Sequence, residues 1–173
     1  VDAYYNTGVA LKEQGKLEEA IGAFKKALLL RPNYFEVYNN MGNALTEQDR
    51  LEEAIEAFNT ALAIKPDYAT AYYNMGNTLR KLDKLEEAAR AFSKAITIKP
   101  NFAEAYDNMG IILHRQGKQN EAIKAHLKAL AIKPDLVNAY FNMGNTLRGF
   151  IFKKPNRDMQ KIISIMLDYK TYV

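Results

Sequence analysis

The chain has 173 residues, 48% of them hydrophobic and 25% charged, with no cysteine, no tryptophan and a net charge of +4. The lack of cysteine excludes disulfide staples, thiolate metal sites and thiol catalysis, and no apolar run approaches the roughly 20 residues that span a bilayer, so no membrane partner is expected. The charge excess is local, because residues 148–173 carry six cations (Arg148, Lys153, Lys154, Arg157, Lys161, Lys170) against two acids (Asp158, Asp168); a nucleic-acid binder would spread its excess along the binding surface, so nucleic acid is not an expected partner.

From the N terminus, Tyr4, Gly8 and Leu11 fall at helical spacing, and after a break at Gln14-Gly15-Lys16 so do Leu17, Ala20, Phe24, Ala27 and Leu28. Glycine suits that break because it tolerates left-handed backbone angles. The second helix opens with Glu18-Glu19 at the positive end of its dipole and closes at Arg31-Pro32-Asn33, where proline removes a backbone donor. The unit is a helical hairpin.

The hairpin recurs every 34 residues, as Tyr38-Asn39-Asn40-Met41-Gly42, Tyr72-Tyr73-Asn74-Met75-Gly76, Tyr106-Asp107-Asn108-Met109-Gly110 and Tyr140-Phe141-Asn142-Met143-Gly144 restate Tyr4-Tyr5-Asn6-Thr7-Gly8. Breaks follow at Gln48-Asp49-Arg50, Leu82-Asp83-Lys84 and Gln116-Gly117-Lys118, and helix ends at Lys65-Pro66, Lys99-Pro100 and Lys133-Pro134. Small residues recur where helices must approach: the glycines of the first helices, then Ala20, Ala54, Ala88, Ala122 and Ala27, Ala61, Ala95, Ala129 in the second. A unit this short cannot bury its own apolar face, so the units are expected to stack and share a core.

The divisions are 1–34, 35–68, 69–102 and 103–136, with the first helix of a fifth unit at 137–150. The fourth unit departs in Gln119-Asn120 and in His126, which replaces the aromatic seen as Phe24, Phe58 and Phe92. After Arg148 the pattern fails, and a divergent tail of 151–173 is expected to hold a capping helix at about 157–169, where Met159, Ile162, Ile163, Met166 and Leu167 resume helical spacing. The first residues already lie inside the repeat register, without the basic start and apolar core of a secretory signal. The chain is therefore expected to begin within a longer protein and to be cytoplasmic.

The aromatic, glycine, alanine pair and terminal proline at fixed offsets resemble the tetratricopeptide (TPR) repeat family, over four whole units and part of a fifth. The resemblance implies an all-α, right-handed solenoid of helical hairpins whose first helices line a concave groove. It also implies a binding module for a protein or extended peptide. In that geometry one groove column is Asn6, Asn40, Asn74, Asn108 and Asn142, and a second, one turn on, holds Asn43, Asn77 and Asn145 beside Val9 and Ile111. A carboxamide both donates and accepts, so such a column can bond a peptide backbone without reading its side chains. The first column resembles the asparagine ladder of O-linked N-acetylglucosamine transferases, which would imply sequence-tolerant capture of extended segments. The opposing reading has these amides bonding neighbours inside the array.

Around the ladder the resemblance places Tyr5, Tyr73, Arg80, His114 and Arg148 on the groove wall, which would suit apolar and acidic side chains in a bound segment, but Asp2, Glu13, Glu36, Glu47 and Glu104 stand there too, so the expected preference is mixed. The clamp that grips chaperone C-terminal tails needs cations where this chain has Tyr5, Thr70 and Asn74 in one register and Asn39, Glu104 and Asn108 in the next, so that role is not expected.

Chemistry is not expected in this segment. His114 and His126 lie twelve apart, too far for ligands on one helical face, and no metal or other cofactor is implied. Adjacent glutamates such as Glu18-Glu19 point in different directions on a helix, and no phosphate loop or nucleophile motif is present. A non-catalytic interaction module is the leading expectation. The alternatives are a scaffold that self-associates through its array ends and the substrate-recruiting arm of a larger transferase.

Overall fold

The computed structural model describes residues 1–148, in which nine α-helices and no strand occur. The helices are α1 (Asp2–Glu13), α2 (Leu17–Leu30), α3 (Phe35–Glu47), α4 (Leu51–Ile64), α5 (Ala69–Lys81), α6 (Leu85–Ile98), α7 (Ala103–Arg115), α8 (Gln119–Ile132) and α9 (Val137–Arg148). They form an all-α solenoid of four helical hairpins followed by the first helix of a fifth repeat. The capping helix expected at 157–169 lies outside the described residues.

The turn inside each hairpin is set by one left-handed residue. Gly15 and Gly117 have φ of 74° and 76°, and Asp49 and Asp83 fill the same place at 62° and 61°. In all four turns the next N–H reaches back five residues, as Lys16 to Leu11 and Arg50 to Leu45, which satisfies a carbonyl the helix end would leave open.

Within a hairpin the helices meet through glycine and an aromatic ring. A methyl group added at Gly8, Gly42 or Gly76 would come within 2.5–2.7 Å of the ring of Phe24, Phe58 or Phe92. Those rings are fully buried, as are Ala20, Ala54 and Ala88 one turn earlier. At Gly110 the ring is that of His126.

Between hairpins, each repeat is closed by the one before it. Numbering each repeat from one, positions three and ten are Val37 and Ala44, Ala71 and Thr78, Ala105 and Ile112, Ala139 and Thr146, and none exceeds 1% exposure. In the first repeat the same positions, Ala3 and Ala10, are exposed. Consecutive first helices touch (α1 with α3, α3 with α5, α5 with α7, α7 with α9), whereas consecutive second helices do not. The stack therefore curves with the first helices inside.

Two contacts escaped the reading of the sequence. The cations that end the second helices lie over aromatic rings of the same repeat: Arg31 over Tyr34 at 4.6 Å, Lys65 over Phe35 at 4.6 Å, Lys99 over Phe102 at 4.7 Å. In the fourth repeat His126 is wholly buried, and its Nδ1 donates to Oδ1 of Asp107 at 2.7 Å. The fourth repeat thus replaces a ring and its partner together, since Tyr73 and Phe92 hold the equivalent places one repeat earlier.

Gly76→Ala should lower stability by about 1–3 kcal/mol through overpacking against Phe92, although alanine is the better helix former. Gly22→Ala, exposed on α2 with nothing near its added methyl, should raise it by about 0.5–1 kcal/mol. Urea unfolding checks both signs. A second set tests the buried pair. Asp107→Tyr and His126→Phe should each destabilise, because each strands a buried polar partner at about 1–3 kcal/mol. The double substitution, which restores the Tyr–Phe pattern, should lose less than the sum by at least about 1 kcal/mol.

Candidate functional site

The inner surface can be assigned from helical geometry alone. At about 100° per residue, position eight of each first helix points to its own second helix, and positions three and ten point to the preceding repeat. What remains open is the face bearing positions two, nine and thirteen, flanked by positions five, six and twelve. The sequence-predicted residues all belong to these inner positions, as Asn6, Asn40, Asn74, Asn108 and Asn142 at six, Asn43, Asn77 and Asn145 at nine, Tyr5 and Tyr73 at five, Arg80, His114 and Arg148 at twelve.

The first asparagine column is a ladder within the array. Nδ2 of Asn40 donates to the Tyr5 hydroxyl at 3.1 Å, Asn74 to Oδ1 of Asn39 at 3.0 Å, Asn108 to the Tyr73 hydroxyl at 3.3 Å and Asn142 to Oδ2 of Asp107 at 2.9 Å. Every rung joins position five of one repeat to position six of the next, 35 residues on. Asn40 and Asn108 place a second N–H on a carbonyl four residues back, that of Glu36 and of Glu104, each at 3.0 Å. The four amides are half-buried, and their Oδ1 atoms accept no bond from another described residue. Asn6, in the first of the described repeats, is exposed and forms no rung.

Position five thus supplies the acceptor, which the sequence reading placed on the groove wall instead. Its residues are chemically varied but alike in function: Tyr5, Asn39, Tyr73 and Asp107 each offer an oxygen. Asn39 and Asp107 are the most enclosed, at 4% and 6% exposure. Asp107 serves two partners, one oxygen for His126 and the other for Asn142. Phe141 offers no acceptor and is exposed.

The second column behaves differently. Asn43 and Asn77 are half-buried and Asn145 is exposed, and these carboxamides make no hydrogen bond to any described residue. One turn further, Lys12 pairs with Glu47 at 3.7 Å, the Thr46 and Thr78 hydroxyls meet at 2.8 Å, and Arg80 and His114 stand half-buried without an ion pair. Arg148 is exposed. At position two, burial opposes ionisation of Glu104, but its own backbone N–H and the Lys133 ammonium at 3.1 Å outweigh it and hold the carboxyl below its usual range.

On the outside, shallow clefts of about 250 and 210 Å³ run between neighbouring second helices, floored by Met75 and Met41 respectively. No cluster of metal-ligating side chains occurs among the described residues, and no described helix is long and apolar enough to cross a membrane.

Comparison with known proteins agrees with the helical-repeat fold. No curated protein sequence matches the chain. Among solved structures, MamA is 28% identical with a TM-score of 0.76, over 86% of this chain and 81% of that one. YrrB, described as a TPR protein with an unusual peptide-binding site, is 24% identical with a TM-score of 0.72 over 95% and 84%. The pilF protein of Pseudomonas aeruginosa is 23% identical with a TM-score of 0.79 over 85% and 67%. The last two show the shared fold. The TPR repeat profile matches residues 8–49, 42–83, 76–117 and 112–148, and by that coverage the chain belongs to the tetratricopeptide repeat family, whose members mediate protein–protein interactions.

Proposed function

We propose that this chain holds an extended segment of a partner protein along its inner face, with the asparagines of position nine as the backbone-gripping groups. The observation that carries the reading is the difference between the two amide columns. Each of the position-six amides of the second to fifth repeats donates one N–H to the repeat before it, while Asn43 and Asn77, on the open face, donate none to a described residue. A peptide strand presents alternating N–H and C=O groups, which free carboxamides can both meet. The ladder contributes its remaining Oδ1 acceptors and fixes the spacing between repeats. No step in this function calls on catalysis by the chain itself.

A second reading, end-to-end association of arrays, is favoured by Val137 and Phe141, which leave α9 with 74% and 69% exposure four residues apart on one face. Light scattering over a wide concentration range should then show growth in mass that Phe141→Ser suppresses. A mass constant at one chain would contradict it.

Peptides selected on the immobilised chain from a displayed random library provide the probe for the groove. Asn43→Ala/Asn77→Ala should weaken the selected peptides about tenfold or more, roughly 1.4 kcal/mol, with the melting temperature unchanged. Asn40→Ala/Asn74→Ala should lower the melting temperature as well, because it removes two rungs. Unchanged affinity in the first variant would contradict the assignment.

A further inference from the structure

We propose that the last turns of α5 and α7 form a subsite for one anionic side chain, carboxylate or phosphate, of the segment held in the groove. This rests on the groove reading above and adds the chemistry of one contact. Arg80 and His114 occupy position twelve of the third and fourth repeats, on helices that touch. Nε of Arg80 and Nδ1 of His114 are both shut off from solvent and both without a hydrogen-bond partner. Buried polar atoms are nearly always paired, and an unpaired one costs free energy that a bound partner recovers. Two such nitrogens at one register of adjacent repeats mark side chains whose hydrogen bonding is incomplete as they stand, so that a small rotation of either toward a ligand oxygen in the groove gains a bond without breaking one.

The register also explains why Arg80 is left over. In the first repeat Lys12 meets Glu47, which stands at position thirteen of the following repeat. Position thirteen of the fourth repeat is Arg115, so Arg80 has a cation where Lys12 has a carboxylate. Arg115 pairs instead with Asp83 at 2.5 Å. Lys81, next to Arg80, bonds the Thr46 carbonyl oxygen at 3.1 Å. Cations near a helix C-terminus complement its dipole, which accounts for the charge here but leaves the two nitrogens unpaired. A guanidinium fork fits a carboxylate or phosphate in two-point contact. Asn77 lies one turn before Arg80, so a chain gripped by the position-nine amides would carry a side chain to it.

A peptide selected on the full chain is titrated with Glu, phosphoserine or Gln at its acidic position. The anionic forms should bind at least tenfold tighter than the Gln form, and whichever of the two binds tighter identifies the source of the charge. Arg80→Gln/His114→Gln should erase that preference without changing affinity for the Gln form. Arg115→Glu, which puts a carboxylate where Glu47 stands in the second repeat, should erase it too without emptying the subsite. Selected peptides lacking any acid, or a preference that survives both variants, would overturn the proposal while leaving the groove reading intact. Failure to select any peptide would overturn both.

Discussion

A hairpin of 34 residues has more apolar surface than it can cover, and the side of its first helix bearing positions three and ten has nothing of its own to pack on. The contrast between Ala3 and Ala10, open at the start of the array, and Val37 and Ala44, fully enclosed one repeat later, shows where the cover comes from. Stability in such a stack is a sum of repeat terms and nearest-neighbour terms. The small residues follow from the same requirement: alanine and glycine where helices cross, a single large ring where a gap remains. Because first helices approach one another and second helices do not, covering this face also bends the stack and leaves an inner surface open.

The polar contacts refine what apolar packing begins. Burying a side-chain amide is costly unless it is hydrogen-bonded, and each half-buried position-six asparagine of the second to fifth repeats places one N–H across the seam between repeats. Each rung ties one first helix to the next at a fixed offset, giving the seam a specificity that alanine packing alone lacks. The acceptor varies freely among tyrosine, asparagine and aspartate because the rung requires only an oxygen at that point. In the fourth repeat the aspartate brings a second requirement, a donor for its other oxygen, and the histidine in the neighbouring aromatic slot supplies it. One seam thus carries a buried polar network where the others carry a phenylalanine.

The architecture was legible in the sequence because it depends on local chemistry repeated at a constant period. Gly15 and Asp49 announce left-handed turns, Pro32 and Pro66 announce helix ends, and Gly8 with Phe24 announces a close crossing. The orientation of the amides was not legible in the same way. Whether Asn40 faces a ligand or Tyr5 is decided by how the first helices are offset, and that offset is a tertiary quantity. A signal was present all the same, since position five bears an oxygen in each of the first four repeats and an asparagine always lies 35 residues on. The change to His126 and the aspartate at 107 were both visible, but their partnership required knowing that the two positions meet in space. The unpaired nitrogens of Arg80 and His114 belong to the same class, being properties of packing that composition does not encode.

The central claim is a division of labour between two amide columns, with position six holding the array together and position nine meeting the partner. Side-chain amide resonances report on it directly, as they distinguish protons held in a hydrogen bond from those open to water. In the free protein the Nδ2 protons of Asn40 and Asn108 should exchange slowly and those of Asn43 and Asn77 rapidly. On addition of a selected peptide, the second pair should shift and gain protection while the first pair stays in place. Protons of Asn40 and Asn108 that exchange freely, or that move on binding while Asn43 and Asn77 do not, would contradict the account.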